Sequence, residues 1–399
     1  MLMMNKIQTL KQEMEKELND NILHFWLTRM IDNDEGGFYG RIDGEGNLVA
    51  GAEKGSILNA RILWAFSAAY RVTGKNEYKE AADRAFKYLT TYFVDHEYGG
   101  VYWSLYSNGR PKDTKKQTYA IGFAIYGLAE YVRATGNDDA LKCAIGLYHD
   151  IEEHAFDAVN NGYTEALSRD WKPIADMRLS DKDENGSKTM NTHLHIIEPY
   201  TNLYRVWKDD GLRDKLVNLL HLFLDVMLNP LTNHLDLFFD DQWQGHRNIQ
   251  SFGHDIEASW LLHETALVLG DPTILKDVEP KVKAIAVAAD EGLCDNGGMI
   301  YEHWTDTGHT DRQFQWWVQC ENIIGHVNLY QHFGDEQALE QALKSWEFVK
   351  ENIIDKEKGE WLWSLNADGT PNREDDKAGF WKCPYHNSRM CLEIMERNF

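Results

Sequence analysis

A glycine closing an aromatic-rich helical run recurs along this chain at a nearly constant interval, and a recurring interval restricts the fold more than any single motif does. The runs Tyr-Arg-Val-Thr-Gly74, Tyr-Val-Arg-Ala-Thr-Gly136, Tyr-Arg-Val-Trp-Lys-Asp-Asp-Gly211, Leu-Val-Leu-Gly270 and Tyr-Gln-His-Phe-Gly334 lie 62, 75, 59 and 64 residues apart. After each comes a second amphipathic stretch, such as Glu77 to Tyr92 or Glu336 to Ile353. The unit reads as a helical hairpin with a glycine C-cap at its turn. Between hairpins stand turn-plus-aromatic segments, among them Gly36-Gly37-Phe38-Tyr39, Gly99-Gly100-Val101-Tyr102-Trp103, Gly162-Tyr163, Gly297-Gly298-Met299 and Gly359-Glu360-Trp361, which predict short strands. The 399 residues divided by six give about 66 per unit, close to the observed interval. We therefore expect an all-α fold, an (α/α)6 barrel of six helical hairpins with short β-hairpins at one end, and residues 1–399 forming a single catalytic domain. An open helical solenoid of the same unit is the competing arrangement.

The composition agrees with long helices around a substantial core: 43% hydrophobic residues, 12% aromatic, and only 8 prolines to interrupt helices. Lys and Arg number 41 and Asp and Glu 64, so the formal charge is 41 − 64 = −23. So negative a surface repels phosphate backbones and anionic lipid, which argues against nucleic acid or membrane partners. No window is apolar enough to span a bilayer, and the opening residues turn polar at once, so the cytoplasm is the expected location. Cys143, Cys294, Cys320, Cys383 and Cys391 are odd in number and widely spaced, indicating neither a disulfide framework nor a zinc site.

Function is to be sought where polar residues interrupt faces that a double-layered barrel would bury, because such residues are either satisfied in the core or line the central cavity. Asn191, His195 and Glu198 stand at i, i+4 and i+7, one stripe of a helix, with Pro199 warning of a kink. His254 and Glu257 share a face at i+3, where the carboxylate would raise the basicity of the imidazole. Trp316 and Trp317 precede Glu321 by about a turn, suggesting a stacking wall with a hydroxyl acceptor. Pro384 would start a helix and place His386 in its first turn, where the dipole lowers an imidazole pKa. Arg61 lies in the apolar run Ile57 to Phe66, and a buried cation needs a partner or developing negative charge. Walker, dinucleotide-binding, nucleophile-elbow and zinc-protease signatures are lacking.

Several of these segments resemble the N-acylglucosamine 2-epimerase family over essentially the whole chain: Asn-Ala-Arg61-Ile-Leu-Trp, Gln-Thr-Tyr119-Ala-Ile-Gly, Asn191 through Glu198, Gly-His254-Asp-Ile-Glu257-Ala-Ser-Trp, Trp316-Trp317-Val-Gln and Trp381-Lys-Cys-Pro-Tyr-His386-Asn. The resemblance implies an (α/α)6 barrel that inverts C2 of a sugar without metal or other cofactor. The last segment is most similar to members acting on the reducing end of β-1,4-linked disaccharides such as cellobiose and lactose. It further implies that His254 and His386 are the acid/base pair and His195 an essential helper. Arg61, Tyr119, Asn191, Glu257, Trp316, Trp317 and Trp381 become the expected sugar contacts. The residue chemistry agrees. A C2 proton is removable once the ring opens and C1 becomes an aldehyde, the enediolate needs a donor such as Arg61, and imidazoles near pKa 6.5 suit both removal and return of the proton. Aldose–ketose isomerisation, as of mannose, would use the same intermediate; epimerisation of N-acylglucosamine is the other family activity. A glycoside hydrolase on the same barrel would need two carboxylates flanking the bond, for which Asp255 and Glu321 are candidates. The expected partner is a small disaccharide, with the chain a monomer or weak dimer.

Overall fold

The computed structural model describes residues 2–180, 184–245 and 249–399. Helix α1 (Leu2–Glu17) runs through a π turn into α2 (Leu23–Arg29). Five helical hairpins follow: α3 (Ser56–Thr73) with α4 (Asn76–Tyr88), α5 (Thr118–Thr135) with α6 (Asp138–Asp150), α7 (Met190–Val206) with α8 (Asp210–His221), α9 (Phe252–Leu269) with α10 (Pro272–Ala289), and α11 (Trp316–Phe333) with α12 (Glu336–Asn352). The chain ends in α13 (His386–Glu396).

Burial separates two layers. In α3 every residue from Ser56 to Ala69 is buried, and α5, α7, α9, α11 and α13 are similarly enclosed. In α4 only one stripe is buried, Tyr78, Ala81, Ala82, Ala85 and Tyr88, the 3.6-residue spacing of a helix with one wet face. Neighbouring inner helices pack in the order α3, α5, α7, α9, α11, α13 and back to α3, while α1 covers α13. The structure is thus an (α/α)6 barrel. The sixth hairpin is not contiguous: the two ends of the chain supply its outer and inner helices, and an antiparallel bridge between Ile42 and Ala378 joins them. An open solenoid would leave those ends apart.

Four of the five glycines act as expected. Gly74, Gly136, Gly270 and Gly334 cap inner helices with φ of 69°, 69°, 68° and 68°, a left-handed conformation that costs glycine little. Gly211 does not. Helix α7 stops at Val206, and Gly211 lies inside α8, whose N-terminus is capped by the Asp209 carboxylate accepting from Leu212 N–H. At this hairpin the inner helix ends instead at Trp207 in an extended conformation, with φ −139° and ψ 98°.

Short antiparallel strands lead directly into the inner helices at one end of the barrel. Lys54 pairs with Leu105, Lys116 with Leu167, Lys188 with Phe239 and Phe314 with Leu365. In three of these strands the lysine is buried and reaches an aspartate at the start of the preceding turn: Lys54 to Asp32 at 2.7 Å, Lys116 to Asp95 at 2.9 Å and Lys188 to Asp157 at 2.8 Å. Lys377 pairs with Asp355 in the same manner near the ring closure. Each aspartate also folds its own turn by accepting backbone N–H groups, so one buried pair fixes a turn and the strand beside it.

The opposite end is shut by polar side chains from all six inner helices. Arg71 (α3) donates to Glu130 (α5) at 2.6 Å, Arg133 joins Glu130 to Asn202 (α7), Arg205 donates to Glu264 (α9) at 2.7 Å, and Arg397 donates to Asn328 (α11) at 3.0 Å. Arg71 also meets Glu396 of α13 at 2.8 Å, which closes the circuit. The strand end is therefore the more open one. Among the described residues no helix is long and apolar enough to cross a membrane.

Candidate active site

The inner helices all begin at the strand end, so their N-termini converge on the mouth of the barrel, where backbone N–H groups and helix dipoles favour negative charge. A cavity of about 440 Å³ opens there, and all ten residues singled out in the sequence line it: Arg61, Tyr119, Asn191, His195, His254, Glu257, Trp316, Trp317, Trp381 and His386. Nine of them lie within the first two turns of an inner helix, which is why residues hundreds of positions apart meet. Trp381 lies just ahead of α13. A second cavity of about 530 Å³ shares Leu179, Asn191, His254, Tyr301 and Gln315 with the first.

Each imidazole is held through Nδ1. His195 Nδ1 is 2.9 Å from Glu198 Oε2, His386 Nδ1 is 2.7 Å from Glu321 Oε1, and His254 Nδ1 is 2.8 Å from Ser251 Oγ. A carboxylate accepts only a proton-bearing nitrogen, so in His195 and His386 the neutral tautomer carries its hydrogen on Nδ1 and leaves Nε2 as the basic nitrogen. His195 is also bent out of helical geometry, with φ −91° and ψ 18°. Pro199 causes this, because its ring displaces the carbonyl four residues earlier, that of His195. Gly122 of α5 makes room: a Cβ there would stand 2.3 Å from that carbonyl oxygen.

Three expectations require correction. Glu257 does not pair with His254; it accepts from Arg389 Nη2 at 2.6 Å, and His254 takes Ser251 instead. Glu321 is no sugar-facing acceptor, being fully buried between Arg389 (2.8 Å), His386 and the Trp260 indole (3.0 Å). His254 and His386 do not titrate near 6.5: burial, reinforced by His195, pushes His254 down to about 3, and burial with Arg61 and Arg389 holds His386 well below its ordinary value. Both are neutral bases at physiological pH.

Arg389, which sequence reasoning passed over, organises the floor. Its guanidinium donates to Glu198, Glu257 and Glu321 together, and Tyr385 adds a hydroxyl to Glu198. One cation among three buried carboxylates leaves a surplus of negative charge. Burial works to raise Glu198, but Arg389, His195 and Tyr385 outweigh it and bring it down to about 2. Glu257, with burial and the nearby Glu321 against it, is raised to about 7. Glu257, Glu321 and His386 bring potential metal-ligand atoms within 4.8 Å of one another, and the resident Arg389 guanidinium already donates to both carboxylates there.

Arg61 is the converse case, a buried cation without a carboxylate among its described contacts. It donates to Tyr119 Oη at 2.9 Å, approaches Cys383 Sγ at 3.8 Å and stacks on the rings of Phe123 and Tyr385 at 4.1 and 4.6 Å. Its surroundings keep it charged, and the cavity it lines is where compensating negative charge can form. Trp317 lies between the imidazoles, its ring 4.7 Å from His254 and 5.7 Å from His386. Gln315, Tyr301, Trp363 and Asp375 line the cavity too and were not anticipated, since they lie in strands and loops without helical periodicity. Asp255 is turned away, bonded to His234 at 2.7 Å and Leu235 N–H at 2.9 Å, so neither acid considered for glycoside hydrolysis is available.

Apolar indoles, a buried cation, imidazoles and one protonatable carboxyl thus line one barrel cavity, an arrangement chemically able to hold a polyhydroxylated molecule and to move protons on it. The family profile described as N-acylglucosamine 2-epimerase matches residues 37–389, and the chain belongs to that family. It is 60% identical to a protein of Bacteroides fragilis named cellobiose 2-epimerase, over 97% of this chain and 99% of that one. A cellobiose 2-epimerase of Ruminococcus albus is 41% identical over 96% of this chain and 98% of its own. The solved cellobiose 2-epimerase of Bacillus thermoamylovorans superposes with a TM-score of 0.93 at 40% identity, covering 98% of this chain and all of that one.

Proposed function

We propose that this chain inverts C2 of the reducing-end sugar in β-1,4-linked disaccharides such as cellobiose and lactose, converting glucose to mannose there through ring opening and a cis-enediolate. The observation that carries this reading is Arg61, a buried cation lacking a carboxylate partner in a cavity with three Nδ1-anchored imidazoles. Ring opening unmasks the C1 aldehyde, and one neutral imidazole then takes the C2 proton. The electron pair moves onto the C1 oxygen, where Arg61 and the converging helix N-termini stabilise the negative charge. The imidazole on the opposite face, protonated from solvent before this step, delivers its proton to C2 there and completes the inversion, and the imidazolium left on the first face releases its proton to solvent. His254 and His386 are the acid/base pair; because burial depresses both, their conjugate acids return the proton readily. His195, held by Glu198, assists at the ring oxygen and hydroxyls. Tyr119, Asn191 and Glu257 bind hydroxyls, while Trp316, Trp317 and Trp381 present apolar ring faces.

Incubation with cellobiose or lactose in D₂O tests the proposal. The expected product is the C2 epimer carrying deuterium at C2, with His254→Ala or His386→Ala lowering the rate by ~10²- to 10⁴-fold. A ketose as the main product would show the proton going to C1 instead. Absence of any C2 exchange would defeat the assignment.

A further inference from the structure

We propose that Asp375 recognises hydroxyls of the sugar ring beyond the reacting one and so sets a preference for disaccharides over free hexoses, an inference that rests on the epimerase reading above. Among the described residues lining the cavity, the carboxylates are Glu257 and Asp375. Glu257 belongs to the floor, committed to Arg389 beside His386. Asp375 comes from the segment that closes the ring at the strand end, three residues before the bridge of Ala378 to Ile42. The two carboxylates therefore serve different parts of one cavity.

Asp375 is held in place. The buried Asn372 accepts the N–H groups of Glu374 and Asp375 on Oδ1, at 3.0 and 3.3 Å. Through Nδ2 it donates to Asp375 Oδ2 at 2.7 Å and to Ser364 Oγ at 3.0 Å. Ser364 follows Trp363, whose indole lines the same cavity, so one asparagine couples a carboxylate to an aromatic face. The backbone is also tightly covered, since a Cβ on Gly44 would lie 2.5 Å from the Asp375 carbonyl oxygen. Asp375 Oδ1 accepts no hydrogen bond from a described residue. A rigid carboxylate with a free oxygen in a cavity that a tryptophan also lines is chemistry suited to a pyranose, whose hydroxyls donate at the edge while its C–H face stacks. The reacting ring already has the imidazoles, Arg61, Tyr119 and Glu257.

The test is steady-state kinetics of the full chain with Asp375→Ala and Asp375→Asn, using D-glucose as a competitive inhibitor of cellobiose turnover. The expected result is that the ratio of KM for cellobiose to the inhibition constant of glucose rises ~10-fold in Asp375→Ala, as for loss of a hydrogen bond to a charged group, and less in Asp375→Asn, which keeps one acceptor. Unchanged melting temperatures would exclude misfolding as the cause. If both constants move together, or neither moves, Asp375 does not read the second ring. If the wild-type chain catalyses no C2 exchange on any sugar, the epimerase reading fails and this inference falls with it.

Discussion

Arg389 shows how little of a site's charge state can be read from neighbours in the chain. Its carboxylate partners are 191, 132 and 68 positions away, and they decide that Glu198 stays ionised while Glu257 holds a proton up to about 7. The side chains on inner faces were legible because a polar group in an apolar helical run is conspicuous. Their pairings were not: Glu257 is three residues from His254, yet it turns to Arg389 because an uncompensated buried guanidinium costs more than an unpaired neutral imidazole. A stability measurement follows with a definite sign. Glu257 is raised above its unfolded value, so between the ordinary carboxylate range and about 7 the folded chain holds a proton the unfolded chain has released. Its contribution therefore weakens the fold as pH rises through that window. In Glu257→Gln the melting temperature should decline less between about pH 5 and about pH 7.5 than in wild type. Parallel curves for the two proteins would place the raised pKa elsewhere.

Helix α7 illustrates the same division at the scale of elements. Pro199 announced a kink, but only the packing against α5 explains why the kink is tolerated, since Gly122 leaves the space into which the His195 carbonyl is displaced. Gly122→Ala should therefore cost roughly 1–3 kcal/mol by overpacking, measured by denaturant unfolding, and lower kcat by shifting His195 off Glu198. A variant with wild-type stability and rate would show that the contact relaxes freely. The strand-end pairs carried a sequence signal that went unread: aspartate and lysine recur 22, 21, 31 and 22 residues apart. Where Asn229 takes the aspartate position of the turn, Gln250 takes the lysine position in the strand, so the charges disappear together. One unpaired member would leave a buried charge, which explains the paired loss. Gly211 misled for the opposite reason, because a glycine near a helix end counts only if the helix ends there.

For the whole molecule, the ring joins its own ends. The Ile42–Ala378 bridge, the packing of α1 on α13 and the polar circuit from Arg71 to Glu396 tie the termini into the same structure as the middle. We therefore expect the chain to behave as one domain, with a single calorimetric transition whose calorimetric and van't Hoff enthalpies agree. Two resolved transitions would divide it. The repeat interval, the inner and outer helices and eight of the ten expected cavity residues were legible in the sequence itself, because periodicity and isolated polar or aromatic residues are local properties of a chain, while Tyr119 and Trp381 entered through the family resemblance. Tertiary structure alone decided the rest: that the sixth hairpin is shared between the termini, that Arg389 rather than a neighbouring histidine holds Glu257, that burial keeps His254 and His386 neutral, and that Asp375 reaches the cavity. Each of these depends on which distant groups share a low-dielectric space, and that is set by packing.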